Sequence, residues 1–108
     1  MGYIKHHAIA VTSWNKEKLY EAHKKAVNIF GSIVSEIVRS NINSYLSFFI
    51  APNGSKEGWP DSDNGDILRD RFIRWVNKQA YEDDSNCLRF CEFYYGEDND
   101  KSEIIRHN

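Results

Sequence analysis

The chain has 108 residues, 41% hydrophobic and 14% aromatic, with a net charge of -2. That apolar content suffices for one domain, residues 1–108, with a real core, and it excludes general disorder. The weak net charge excludes both a strongly basic nucleic-acid binder and a strongly acidic DNA mimic, so long nucleic acid is not expected as a partner.

Residues 3–12 (YIKHHAIAVT) read as a first strand, with Ile9 and Val11 on one side and Ala8 and Ala10 on the other. Small residues on one face leave room for close packing. Ser13 and Asn15 are N-cap types for the helix that follows. From Lys16 to Phe30, the residues Leu19, Ala22, His23, Ala26 and Phe30 recur at helical spacing. Gly31 supplies the left-handed residue that ends such a helix.

Residues 32–39 read as a second strand, with Val34 and Val38 on one side and Ile33 and Ile37 on the other. Residues 40–44 (SNINS) are turn formers. Residues 45–51 (YLSFFIA) are apolar on both faces, which places this third strand centrally, covered on both sides. Pro52 closes it. Residues 53–60 read as loop, and Asp61, Asp63 and Asp66 crowd the start of a second helix. Arg69, Arg71, Arg74 and Lys78 follow towards its end, the order the helix dipole favours. Its buried stripe is expected at Leu68, Phe72, Trp75 and Val76. After a polar connection, residues 88–95 (LRFCEFYY) read as a fourth strand, and residues 103–106 as a short fifth.

The order βαββαβ implies an α+β fold, a ferredoxin-like sandwich with an antiparallel sheet and two helices on one face. The other sheet face is then apolar and uncovered. Its expected cover is a second copy of the chain, with the fifth strand folding over it as the alternative.

Several chemistries fit poorly. His6 and His7 are adjacent on a strand and point to opposite faces, so they do not share a metal ion. His23 lies on the buried stripe of its helix and reads as a core histidine with a satisfied ring. Cys87 and Cys91 on one strand would stand roughly 13 Å apart, against the ~7 Å a disulfide tolerates. Free thiols point to a reducing cytoplasm. Neither a metal nor a cofactor is expected. The acidic run 61–66 fails as an EF-hand loop. With Gly65 at the sixth position, Pro60 takes the first and Arg71 the twelfth. No nucleophile sits beside a predictable base, and no catalytic constellation emerges. Residues 1–5 run into His6 and His7 without the apolar core of a signal peptide, and no apolar run approaches the ~20 residues that cross a bilayer. No membrane association is expected.

Residues 53–60 (NGSKEGWP) are the most suggestive loop. Its glycines expose backbone N–H groups, Lys56 adds charge, and Trp59 is a stacking surface. Asp61, Asp63 and Asp66 oppose an anion there, and an ordinary strand–helix connection fits equally well. Arg71 and Arg74 share a helical face and suit either a phosphate or a solvated flank. Trp14, Trp59, Tyr94 and Tyr95 near strand ends suit nucleotide stacking or a protein contact.

The segments KHHAIAVTSW (5–14), FFIAPNGSKEGW (48–59) and RDRFIRW (69–75) together resemble a family of small bacteriophage proteins. That resemblance implies counter-defence in a host cytoplasm, in the manner of anti-CBASS cyclic-nucleotide sponges. It also implies a non-enzymatic homo-oligomer that holds its ligand by aromatic stacking and Arg or Lys contacts at a subunit boundary. The candidate contacts are His7, Trp14, Lys56, Trp59, Arg71 and Arg74. The alternatives are an inhibitor that docks on a host protein through the aromatic sheet face, and a small nuclease or phosphodiesterase.

Overall fold

A computed structural model of the chain describes residues 5–54, 58–96 and 102–108. Strand β1 (Lys5–Ser13) leads into helix α1 (Lys16–Phe30), a 3-10 turn (Gly31–Ile33), β2 (Val38–Arg39), β3 (Leu46–Ile50), helix α2 (Pro60–Lys78), β4 (Arg89–Gly96) and β5 (Ser102–His107). The fold is α+β. The strands form one antiparallel sheet in the order β2-β3-β1-β4-β5.

Strand periodicity decides which side of the sheet the helices cover. Residues paired across strands share a face, and alternate residues change face. Ile9 and Val11 of β1, Leu46, Phe48 and Ile50 of β3, and Phe90 of β4 form one buried cluster with Leu19, Ala22 and Ala26 of α1 and Phe72, Ile73 and Val76 of α2. Both helices therefore pack on the same side. Each large apolar side chain buried there contributes about 1.5–3 kcal/mol relative to exposure.

The ends of α1 follow from its caps. The Asn15 side-chain oxygen accepts from the Lys18 backbone N–H at 3.1 Å, and the Ser13 hydroxyl oxygen accepts from the Asn15 N–H at 3.0 Å. Gly31 turns the chain at φ 70°, a conformation that glycine adopts without a Cβ penalty. α2 begins one residue earlier than the sequence suggests. Pro60 is its first residue rather than the last of the loop, since the first turn needs no proline N–H.

The second strand differs most from expectation. Residues 32–39 give a 3-10 turn, an isolated bridge between Val34 and Ile50, and only Val38–Arg39 as strand. The cause is Ser35. Its hydroxyl oxygen, in place of a carbonyl, accepts from the Phe49 N–H at 2.8 Å. Its carbonyl is turned to α1, where His23 Nε2 donates to it at 2.8 Å. A side chain that satisfies the ladder locally ends the regular ladder. His23 is thus satisfied, with its ring edge-on to Phe48 at 5.1 Å.

β3 is not covered on both sides. The central strand is β1, and Phe49 of β3 points away from the helices and is partly exposed. β5 does not fold over the sheet. It pairs edge-on with β4, with a register shift opposite Glu92 and Phe93 that leaves Ile105 of β5 as the extra residue.

Candidate functional site: the open sheet face and its Trp14 end

On the face away from the helices, β1 presents Ala8 and Ala10 between Phe49 of β3 and Phe93 of β4. The register sets Ala10 opposite Phe49 and Ala8 opposite Phe93. β3 and β4 are not neighbours, yet the two rings approach to 6.4 Å between centroids. They reach each other across β1 because its alanines are small. Ala8 is 0% exposed even though no helix lies on that side.

The aromatic surface continues towards β5. Phe93 stacks with Tyr95 at 6.4 Å, and Tyr95 meets His6 at 5.0 Å. A hollow of about 570 Å³ lies there, lined by Cys91, Phe93, Tyr94, Tyr95, Ser102, Glu103 and Ile104. Val38 and Ile104, at the two flanks of this face, are largely exposed. Among the described residues, Arg89 is the one formally charged side chain that strand register places on this face.

Arg89 sits at the far end, opposite Thr12, whose hydroxyl shares a hydrogen bond with Ser47 at 2.8 Å. Trp14 and Tyr45 lie just past the Ser13–Leu46 end of the β1–β3 ladder. These three side chains line a hollow of about 490 Å³ with Asp84, Ser85, Asn86, Cys87 and Asn108. Its floor is held by two amides. Asn86 Nδ2 donates to the Val76 carbonyl at 2.7 Å, and Asn86 Oδ1 accepts from the Leu88 N–H at 3.0 Å. Asn108 Nδ2 donates to the Leu88 carbonyl at 2.6 Å, and Asn108 Oδ1 accepts from the Phe90 N–H at 3.0 Å. Cys87 and Cys91 are both free thiols.

The candidate contacts read from the sequence do not converge on one pocket. Trp14 lies in the hollow just described. His7 faces the helix side near the other end of β1, about 23 Å away at ~3.3 Å per residue. There it lines a separate cavity of about 190 Å³ with Asn53, Gly65 and Arg69. Trp59 precedes α2 and is half exposed. Arg71 and Arg74 lie on the solvent side of α2, and Trp59 to Arg74 spans about 22 Å at ~1.5 Å rise. Arg74 Nε pairs with Asp70 Oδ2 at 2.8 Å. Lys56 lies outside the described residues. Tyr45 and Arg89 were missed by the sequence reading. Only the tertiary structure shows that they line one hollow with Trp14.

A second polar cluster joins α2 to the sheet. Glu92 is 3% exposed on the helix side of β4, between Arg69 and Arg106. Arg106 Nε donates to Glu92 Oε1 at 2.6 Å, and Arg106 Nη1 donates to Asp70 Oδ1 at 2.8 Å. Arg69 Nε lies 3.6 Å from Glu92 Oε2, and its guanidinium also pairs with Asp66. The hydrogen bond from Arg106 holds the Asp70 carboxyl below the usual carboxylate range. Its bond to Glu92 raises Arg106 further. Every charge in this cluster has a partner, so it acts as a clamp between α2, β4 and β5.

Comparison with protein-family models, curated proteins and solved structures finds no match to this chain. Among the described residues no three His, Cys, Asp or Glu side chains cluster as metal ligands, and no helix is long and apolar enough to cross a membrane.

Proposed function

We propose that the protein is a non-enzymatic binding protein that works as a homo-oligomer and sequesters a nucleotide. On the resemblance drawn from its sequence, its setting is phage counter-defence in the host cytoplasm. Its scaffold is a ferredoxin-like sandwich. The order β2-β3-β1-β4, all antiparallel, is what two interleaved split β-α-β units produce, with β5 appended at one edge.

The observation that carries the proposal is the open sheet face. Phe49, Phe93, Tyr95 and Ile104 form a continuous apolar surface, and among the described residues the one formal charge that strand register places there, Arg89, stands at the Trp14 end. Patches of this kind mark interaction surfaces. A two-fold interface sets identical surfaces against each other, so a charge-poor face suits a sister copy. Ala8 and Ala10 keep the middle of the face low, and the aromatic rings on either side give a partner relief to pack into.

Light scattering of the full chain across a concentration series tests this. A dimer or larger assembly is expected at micromolar concentrations. A strict monomer at millimolar concentration overturns the homo-oligomer and leaves the face to a host protein.

A further inference from the structure

We propose that the hollow at the Trp14 end of the open face binds a nucleotide phosphodiester, with the base against Trp14 and Tyr45 and the phosphate on Arg89. This rests on the nucleotide-binding reading above and assigns it a place.

Three observations carry the assignment. First, the volume of about 490 Å³ falls within the ~300–1,000 Å³ of small-ligand sites. Second, Trp14 is 56% exposed and Tyr45 43% exposed, and both line one hollow. An aromatic base set against such rings buries their apolar faces and gains stacking energy. Third, Arg89 makes no ion pair among the described residues and projects from the same face. An arginine in this state is available to fork a phosphate. By contrast, the described residues that line the hollow at the Tyr95 end include Glu103 and neither Lys nor Arg.

The floor is already organised. The Asn86 and Asn108 amides are committed to backbone partners, so binding would not have to order them. Asp84 on the rim narrows the choice of ligand. Its carboxylate accepts from a ribose hydroxyl or an exocyclic amine, and it repels a heavily charged phosphate chain. One cation beside one acid therefore suits the single charge of a phosphodiester better than a triphosphate.

Titrate the full chain with 3′,5′-cyclic AMP, cyclic di-AMP and ATP, following heat and tryptophan fluorescence. At least one of the two phosphodiesters is expected to bind and quench fluorescence, and ATP to bind tenfold more weakly or not at all. Trp14→Ala and Arg89→Gln should each weaken the phosphodiester by about tenfold or more, in the range lost with one stacking ring or one charged contact. Trp14→Phe should retain most of the affinity. Both positions are exposed, so circular dichroism should show folded variants. Binding that survives both substitutions overturns the site while the nucleotide reading stands. Absence of heat and quenching with all three ligands overturns both, and the oligomeric state still answers to light scattering.

Discussion

At the scale of single residues, Glu92 has the most demanding environment in the chain. It is an acid with 3% exposure in a sheet, opposite Ile9, in the company of two arginines. Burying that acid is tolerable because Arg69 and Arg106 approach both carboxylate oxygens. Removing it leaves the Arg69 side chain, itself 7% exposed, with Asp66 alone. Glu92→Ala is expected to cost about 3 kcal/mol, the low end for breaking a buried ion pair. Urea unfolding checks this, and pairing it with Arg69→Leu should recover part of the loss. Asp70 behaves differently because it is half exposed. Its folded pKa lies below the unfolded value, so its contribution is full above about pH 4 and is lost as pH falls through the folded value. Asp70→Asn should flatten the fall in urea midpoint on acidification. An unchanged acid slope would show that Asp70 adds nothing to folding.

At the scale of elements, α1 and β2 show what local sequence can and cannot specify. α1 has a side-chain cap, an apolar stripe and a terminal glycine, and its observed bounds equal those its periodicity predicts. Asn15→Ala is expected to cost about 1 kcal/mol through loss of the cap, measured as a lower unfolding midpoint. A variant as stable as the parent would show that the Ser13 hydroxyl alone fixes this turn. β2 has alternating Val and Ile, yet only Val38–Arg39 pairs as strand. The competing preference is that of Ser35, whose hydroxyl serves Phe49 while its carbonyl serves His23. Both partners lie on other elements, so no local window could reveal the interruption. α2 is intermediate. Its stripe includes Phe72 and Val76 as expected, but Arg69 is also buried, because Glu92 waits beneath it.

At the scale of the whole molecule, one side of the sheet carries two helices and the other carries rings. β5 extends the sheet without roofing it, so the aromatic surface ends at Ile104 on one flank and Val38 on the other. Ile104 is 64% exposed and contributes little to the fold of a single chain. For the homo-oligomer proposed above, Ile104→Glu is therefore expected to shift light scattering towards monomer while the thermal midpoint changes little. An unchanged scattering profile would show that the open face is not where copies of the chain meet.

The spacing of apolar residues along the chain determined the two helices, the β1, β3 and β4 segments, and the existence of an apolar sheet face without helices. Those are local properties, since a side chain's direction follows from the period of its own element. The tertiary structure alone decided that β1 is central, that its alanines let Phe49 and Phe93 meet, that Arg69 and Arg106 enclose Glu92, and that Trp14, Tyr45 and Arg89 share a hollow. Each of these joins residues far apart in sequence through strand order and register, which are set by closing the sheet as a whole and leave no mark on any single segment.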